Sequence, residues 1–276
     1  MSLLTMQEVT ANYVKAGADK IKLPIWKMLV LGILAGIIIG MSSTVSNTSA
    51  HALVNGGMVR LVTGLTFAFG LGMVVQVGAE LFTGNSLLII PVLEKQGSLR
   101  GMLKNWFFVY IGNFAGALMV AAACALFGQL TISNEGLAIY TMKAAAAKNT
   151  LPFASGLVFG FLCNFLVCLG IFLALSAQDL AGRVIGAFMP VAYFVTNGFE
   201  HSIANMYYVP AGLLAMHIPS YATKAAEAGV NIGALTWGKF ITGNLLPVTL
   251  GNILGGAAFA LIMWACNLPH TKGGKG

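Results

Sequence analysis

Charge is scarce in this chain. Only 8% of its 276 residues are Asp, Glu, Lys or Arg, and eight of those are acidic. So little charge excludes an ordinary soluble enzyme, and a hydrophobic content of 58% with mean hydropathy +0.84 excludes a disordered chain. Cysteine is sparse too. Cys124, Cys163, Cys168 and Cys266 lie in apolar segments without a close CxxC pair, which excludes a disulfide framework and a thiolate metal centre. The first 25 residues lack an uninterrupted apolar core and carry Glu8, Lys15, Asp19, Lys20 and Lys22, so a cleaved signal peptide is not expected. No cofactor or metal is called for. A formal charge of +7 would suit nucleic acid in a soluble domain, but here the basic residues sit in short connections and tails, where they set membrane orientation.

What is abundant is apolar run length. Stretches of about 20 apolar residues match the hydrocarbon core of a bilayer, and 34 glycines with 13 methionines suit close helix packing in lipid. Six membrane segments are predicted, beginning near Ile25, Leu61, Trp106, Pro152, Val184 and Phe240. The second (about 61–93) is interrupted by GAELFTGN and the fifth (about 184–213) by TNGFEHSIAN. Ten of the 15 Lys and Arg residues fall on one face: the N-terminal tail with Lys27, then Lys95, Arg100, Lys104, Arg183, Lys272 and Lys275. Arg60, Lys143, Lys148, Lys224 and Lys239 fall on the other. Both termini are therefore expected in the cytoplasm, with the chain in the cell membrane as a multi-pass protein.

The halves repeat each other. Gly78, Glu80 and Asn85 recur as Gly198, Glu200 and Asn205, giving G-x-E-x-x-x-x-N twice. IGNFAGA (111–117) is echoed by LGNILGGA (250–257), and Gly32/Gly36 by Gly156/Gly160. Three helices per half is an odd number, so the repeats must be inverted. The expected fold is one all-α transmembrane domain spanning 1–276: a cytoplasmic segment (1–22), a first repeat (23–130) and a second (150–268), with the second and fifth helices broken. Paired broken helices in inverted repeats point to a transport site at the bilayer midplane.

Irregular backbone at membrane depth survives only where protein or water satisfies it. Glu80 and Glu200, with Asn205, are expected to cap the half-helices by accepting from exposed N–H groups. His201 has no counterpart in the first break, where Leu81 stands. It is expected either to bond Asn205 as a buried histidine or to exchange protons on the solute path. Leu71, Leu81, Phe82 and Phe194 are ordinary packing residues or, if they face a pore, a dry constriction. Lys148 is a loop lysine or a cation at the outer mouth.

AELFTGN, NWFFVYIGNFAGAL, CNFLVCL, GFEHSIANM and NLLPVTLGN, in this order across nearly all six segments, resemble the formate/nitrite transporter family, nearest to its formate and hydrosulfide channel branches. The resemblance implies an aquaporin-like protomer in a homopentamer, each subunit with its own pore. It implies hydrophobic constrictions of Leu71, Leu81, Phe82 and Phe194 with His201 between them, Thr83 beside His201 gating or bonding the solute, and Lys148 drawing anions inward. Asn164 and Asn252 match asparagines that line the path. Glu80 stands where some members carry Asp. The segment 1–22 is too variable for transfer. The expected function is passage of formate, hydrosulfide or nitrite through a lipid-embedded channel, as the neutral acid or as the bare anion, with protonation at or near His201. An aquaporin-like pore for neutral solutes is the near alternative, although its twin Asn-Pro-Ala signature is missing. An intramembrane hydrolase using Ser86 or Ser202 with His201 is remote, because neither serine sits in a nucleophile motif.

Overall fold

Thr5 sets up a capping box: its Oγ1 accepts from the Glu8 N–H at 3.3 Å and the Glu8 carboxylate accepts from the Thr5 N–H at 2.8 Å. This opens α1 (Met6–Lys22) in a computed structural model that describes residues 3–269. Lys272 and Lys275, counted above toward orientation, lie outside the described residues, as do the first two residues of the expected N-terminal segment. α1 buries Val9, Tyr13, Ala18 and Ile21 against the bundle.

Pro24 cannot continue a helix, and the chain turns there into α2 (Ile25–Ala50). α3 (Gly56–Phe67) and α4 (Phe69–Gln76) follow almost without interruption. Irregular backbone over 77–83 then leads through a 3₁₀ turn (Gly84–Leu88) into the short α5 (Ile89–Leu93). α6 (Leu99–Leu126), α7 (Gly136–Asn149) and α8 (Phe153–Ser176) complete the middle of the chain. α9 (Leu180–Asn197) and α10 (Ser202–Ala215) are split at 198–201. α11 (Pro219–Glu227) precedes a π-helical stretch (Lys239–Leu245) that runs into α12 (Leu246–Asn267). No strand occurs among the described residues.

Five helices are long and apolar enough to cross a bilayer: Ile25–Ala50, Gly56–Gln76, Leu99–Leu126, Phe153–Ser176 and Lys239–Asn267. The expected crossing at 184–213 is divided between α9 and α10, and neither qualifies alone. Val30, Leu65, Phe107 and Val158 turn apolar side chains outward, as lipid contact requires.

Two helix seams hold the bundle. α2 packs along α6, and α8 along α12, more extensively than any other pairs. Both seams are built on glycine. A Cβ on Gly116 would meet the Ile33 carbonyl, and one on Gly255 would meet the Phe161 carbonyl, so the backbones approach as only glycine permits. The seams join across the middle of the molecule where the Tyr110 hydroxyl bonds that of Thr249 at 2.8 Å.

Candidate functional site

Each break needs partners for backbone groups that a continuous helix would satisfy itself. Gly78 (φ +67°) and Gly198 (φ +74°) end α4 and α9 in the left-handed conformation that a C′ glycine adopts. The released chain then pairs with a neighbouring helix. The Glu80 N–H donates to the Leu31 carbonyl (3.1 Å), and the Glu200 N–H to that of Phe159 (3.4 Å).

One asparagine fastens each loop from the other side. Asn113 Nδ2 donates to the carbonyls of Gly32 (2.8 Å) and Glu80 (2.9 Å), and its Oδ1 accepts from the Phe82 N–H (2.9 Å). Asn252 Nδ2 donates to Gly160 (2.8 Å) and Glu200 (3.0 Å), and its Oδ1 accepts from the Ser202 N–H (2.9 Å). Asn252, expected on the solute path, has its amide fully engaged in this brace. The bonds also move the expected helix match by one turn: Gly32 corresponds to Gly160, not to Gly156. Asn164 donates to the carbonyls of Asn252 (2.6 Å) and Thr83 (3.1 Å), while its buried Oδ1 has no hydrogen-bond partner.

The two glutamates do not cap helices. Glu80 pairs with Lys20 at 3.0 Å and accepts from Asn85 at 2.7 Å; Asn85 in turn donates to Asn105 (2.8 Å), which donates to the Lys20 carbonyl (3.2 Å). Glu200 pairs with Lys148 at 2.9 Å and accepts from Asn205 at 2.6 Å; Asn205 donates to Asn244 (2.8 Å), which donates to the Lys148 carbonyl (3.0 Å). The physical reason is burial. A carboxylate sequestered from water needs a full countercharge, which backbone N–H dipoles do not supply. Lys148 is therefore half of a salt bridge with Glu200, not a free cation, and its ammonium also lies 5.3 Å from the Tyr208 ring centroid.

The cap on α10 is His201 itself. Its Nδ1 accepts from the Ala204 N–H at 3.0 Å. A nitrogen that accepts from an N–H carries no proton, so the neutral ring holds its hydrogen on Nε2. Nε2 lies 3.0 Å from Thr83 Oγ1, to which it then donates, leaving the threonine O–H free to point elsewhere. The expected His201–Asn205 bond is absent because Asn205 is committed to Glu200. The imidazole stacks on Phe194 (centroids 5.8 Å, 20° between planes), and Phe194 meets Phe67 edge-on at 6.1 Å.

Phe194, His201, Glu200 and Lys148 all line one cavity of about 790 Å³. Leu71, Leu81 and Phe82 do not reach it. They lie 3–4% exposed in the same apolar cluster as Phe194. The Phe82 ring packs edge-on against Tyr110 (4.7 Å) and Trp106 (6.1 Å), bordering a separate apolar groove with Leu245 and Thr249.

Residues 7–266 match the formate/nitrite transporter family. The chain belongs to that family. Among its relatives in the formate/nitrite transporter family, a probable formate transporter of Methanothermobacter thermautotrophicus is 36% identical, over 92% of this chain and 94% of the relative. The formate channel FocA of Escherichia coli K12 is 34% identical over 88% and 87%. Among solved structures, a pentameric formate channel with formate bound superposes with a TM-score of 0.78 at 33% identity, covering 87% of this chain and 96% of that one. An FNT family ion channel reaches 0.81 at 25% identity over 95% and 99%. With its apolar helices, this formate/nitrite transporter family member is a multi-pass membrane protein.

Sequence reasoning missed several residues that the structure brings to the site. Asn105 and Asn113 were findable: the shift that places IGNFAGA on LGNILGGA also places them on Asn244 and Asn252. Phe67 lies one turn before Leu71 and was findable by helical spacing. Lys20 carried no signal, because α1 and α7 share no motif.

Proposed function

We propose that this chain assembles as a homopentamer in the cytoplasmic membrane and that each subunit conducts a small monovalent anion, formate foremost. The pentameric, formate-binding relative supports the assembly and the substrate class. The observation that carries the mechanism is the His201–Thr83 pair (3.0 Å), in which His201 lines the cavity with Lys148 and Glu200 and Thr83 is buried behind it. Six crossings in two inverted repeats accompany this reading, with α9 and α10 together forming one crossing and both termini in the cytoplasm. The matched Lys–Glu–Asn–Asn networks support the repeat and carry it outward to α1 and α7, beyond 23–130 and 150–268.

His201 acts as a fixed neutral donor. Protonating Nδ1 would remove the acceptor that caps α10, and removing the Nε2 proton would leave an imidazolate. The ring therefore orients the Thr83 hydroxyl, and that O–H bonds the carboxylate at the narrowest point. A full charge cannot cheaply enter the apolar cluster of Leu71, Leu81, Phe82 and Phe194. Formate completes its passage as the neutral acid, with a proton drawn from vestibule water.

Uptake into proteoliposomes tests this, with formate, nitrite, hydrosulfide, chloride and glycerol compared across external pH 5 to 8. Formate uptake rising as external pH falls is expected, with chloride and glycerol excluded. Fast glycerol entry without weak-acid selectivity would replace this reading with a neutral-solute pore.

A further inference from the structure

The cavity above His201 carries more basic groups than the Lys148–Glu200 pair accounts for. Both Glu200 oxygens lie within 3.0 Å of the Lys148 ammonium, so that pair adds little net charge to the vestibule. Arg60 and Lys143 line the same cavity, are exposed, and among the described residues have no carboxylate within ion-pair distance. Lys143 shares one face of α7 with Tyr140, Ala144, Ala147 and Lys148, and that whole face looks into the cavity.

Arg60 is seated, not loose. Its guanidinium lies over Gly198, where a Cβ would stand 2.5 Å from Nη1 and 3.1 Å from Cζ. Gly198 ends α9, so the guanidinium meets the negative end of that helix dipole. Two residues later the chain reaches Glu200. The matching glycine of the first break, Gly78, has no neighbour within 4 Å at the same point. The guanidinium is thus a feature of one vestibule alone.

We propose that Arg60 and Lys143 form a capture subsite at the cavity mouth for planar anions with two oxygens, carboxylates of the formate class and nitrite. It rests on the channel function proposed above. Lys143 supplies charge. The Arg60 fork supplies shape, because two parallel N–H donors match the two oxygens of a carboxylate one to one, a match that an anion with a single acceptor atom, such as hydrosulfide or chloride, does not make.

The test is the concentration dependence of formate and hydrosulfide uptake by proteoliposomes holding wild-type protein, Arg60→Gln, Arg60→Lys or Lys143→Gln, at low and high ionic strength. Arg60→Gln and Lys143→Gln should each raise the half-saturating concentration of both anions several-fold, about fivefold at low salt, and flatten its salt dependence. Arg60→Lys keeps the charge and loses the fork. It should raise the value for formate and leave that for hydrosulfide close to wild type. Unchanged half-saturation for formate in Arg60→Gln would overturn the subsite while leaving the channel standing. Wild-type protein that passes no formate would instead remove the function on which the subsite depends.

Discussion

The two breaks share a few fixed points, and most of the side chains between those points differ. Each has a left-handed glycine, a lysine-paired glutamate, two linked asparagines and an asparagine brace with three bonds. Between glutamate and asparagine, however, the first reads Leu81-Phe82-Thr83-Gly84 and the second His201-Ser202-Ile203-Ala204. Thr83 and His201 do not occupy equivalent positions, yet they meet at 3.0 Å. The scaffold is duplicated, and the polar contact at its centre comes from departures from that duplication.

The ion pairs should separate the halves most strongly. Lys148→Met leaves Glu200 buried without its countercharge and should destabilise by about 3–5 kcal/mol. Lys20→Met should have a visibly smaller effect, since the Lys20 side chain is 33% exposed against 20% for Lys148. Thermal unfolding in detergent reads both, and equal losses would show that exposure does not separate the two pairs. The braces should be closer to equal. Asn113→Ala and Asn252→Ala each strand buried backbone groups and should each lose about 2–3 kcal/mol in the same assay.

Smaller effects sharpen the contrast at His201. His201→Phe removes the α10 cap, an expected loss of about 1 kcal/mol, together with formate flux. His201→Asn should keep most of that stability, because asparagine also caps well, while its formate flux still falls. Equal flux in Asn and wild-type proteins would show that the histidine serves only as a cap. Thr83→Val should lower formate flux with a stability change of about 1 kcal/mol, and Thr83→Ser should restore flux.

The places where backbone leaves the helix were legible from GAELFTGN and TNGFEHSIAN. Glycine weakens a helix and a carboxylate at membrane depth demands polar partners, so the two together in an apolar run mark a break. The singular place of His201 was equally plain, since Leu81 stands opposite it. The glutamates' partners were not. Lys20 and Lys148 come from helices outside the breaks, and a contact across 60 residues leaves no local period to read. Spacing suggested that Asn205 would reach His201, but the charge on Glu200 is the stronger acceptor. Phe82 and Phe194 were grouped as constriction residues and do share one apolar cluster, but only Phe194 lines the cavity, while the Phe82 ring packs on Trp106 and Tyr110.

The glycine seams bear on how the chain is made. α2 and α6 are both finished before residue 150 leaves the ribosome, and the backbone fit of Gly116 against Ile33 needs nothing from later residues. α8 and α12 repeat the arrangement afterwards. The first seam can therefore form before the second is made, while α10 still packs on α6, and α9 on α3 and α4, once the later helices arrive. The Tyr110–Thr249 bond is left as a joint that closes only when α12 is in place.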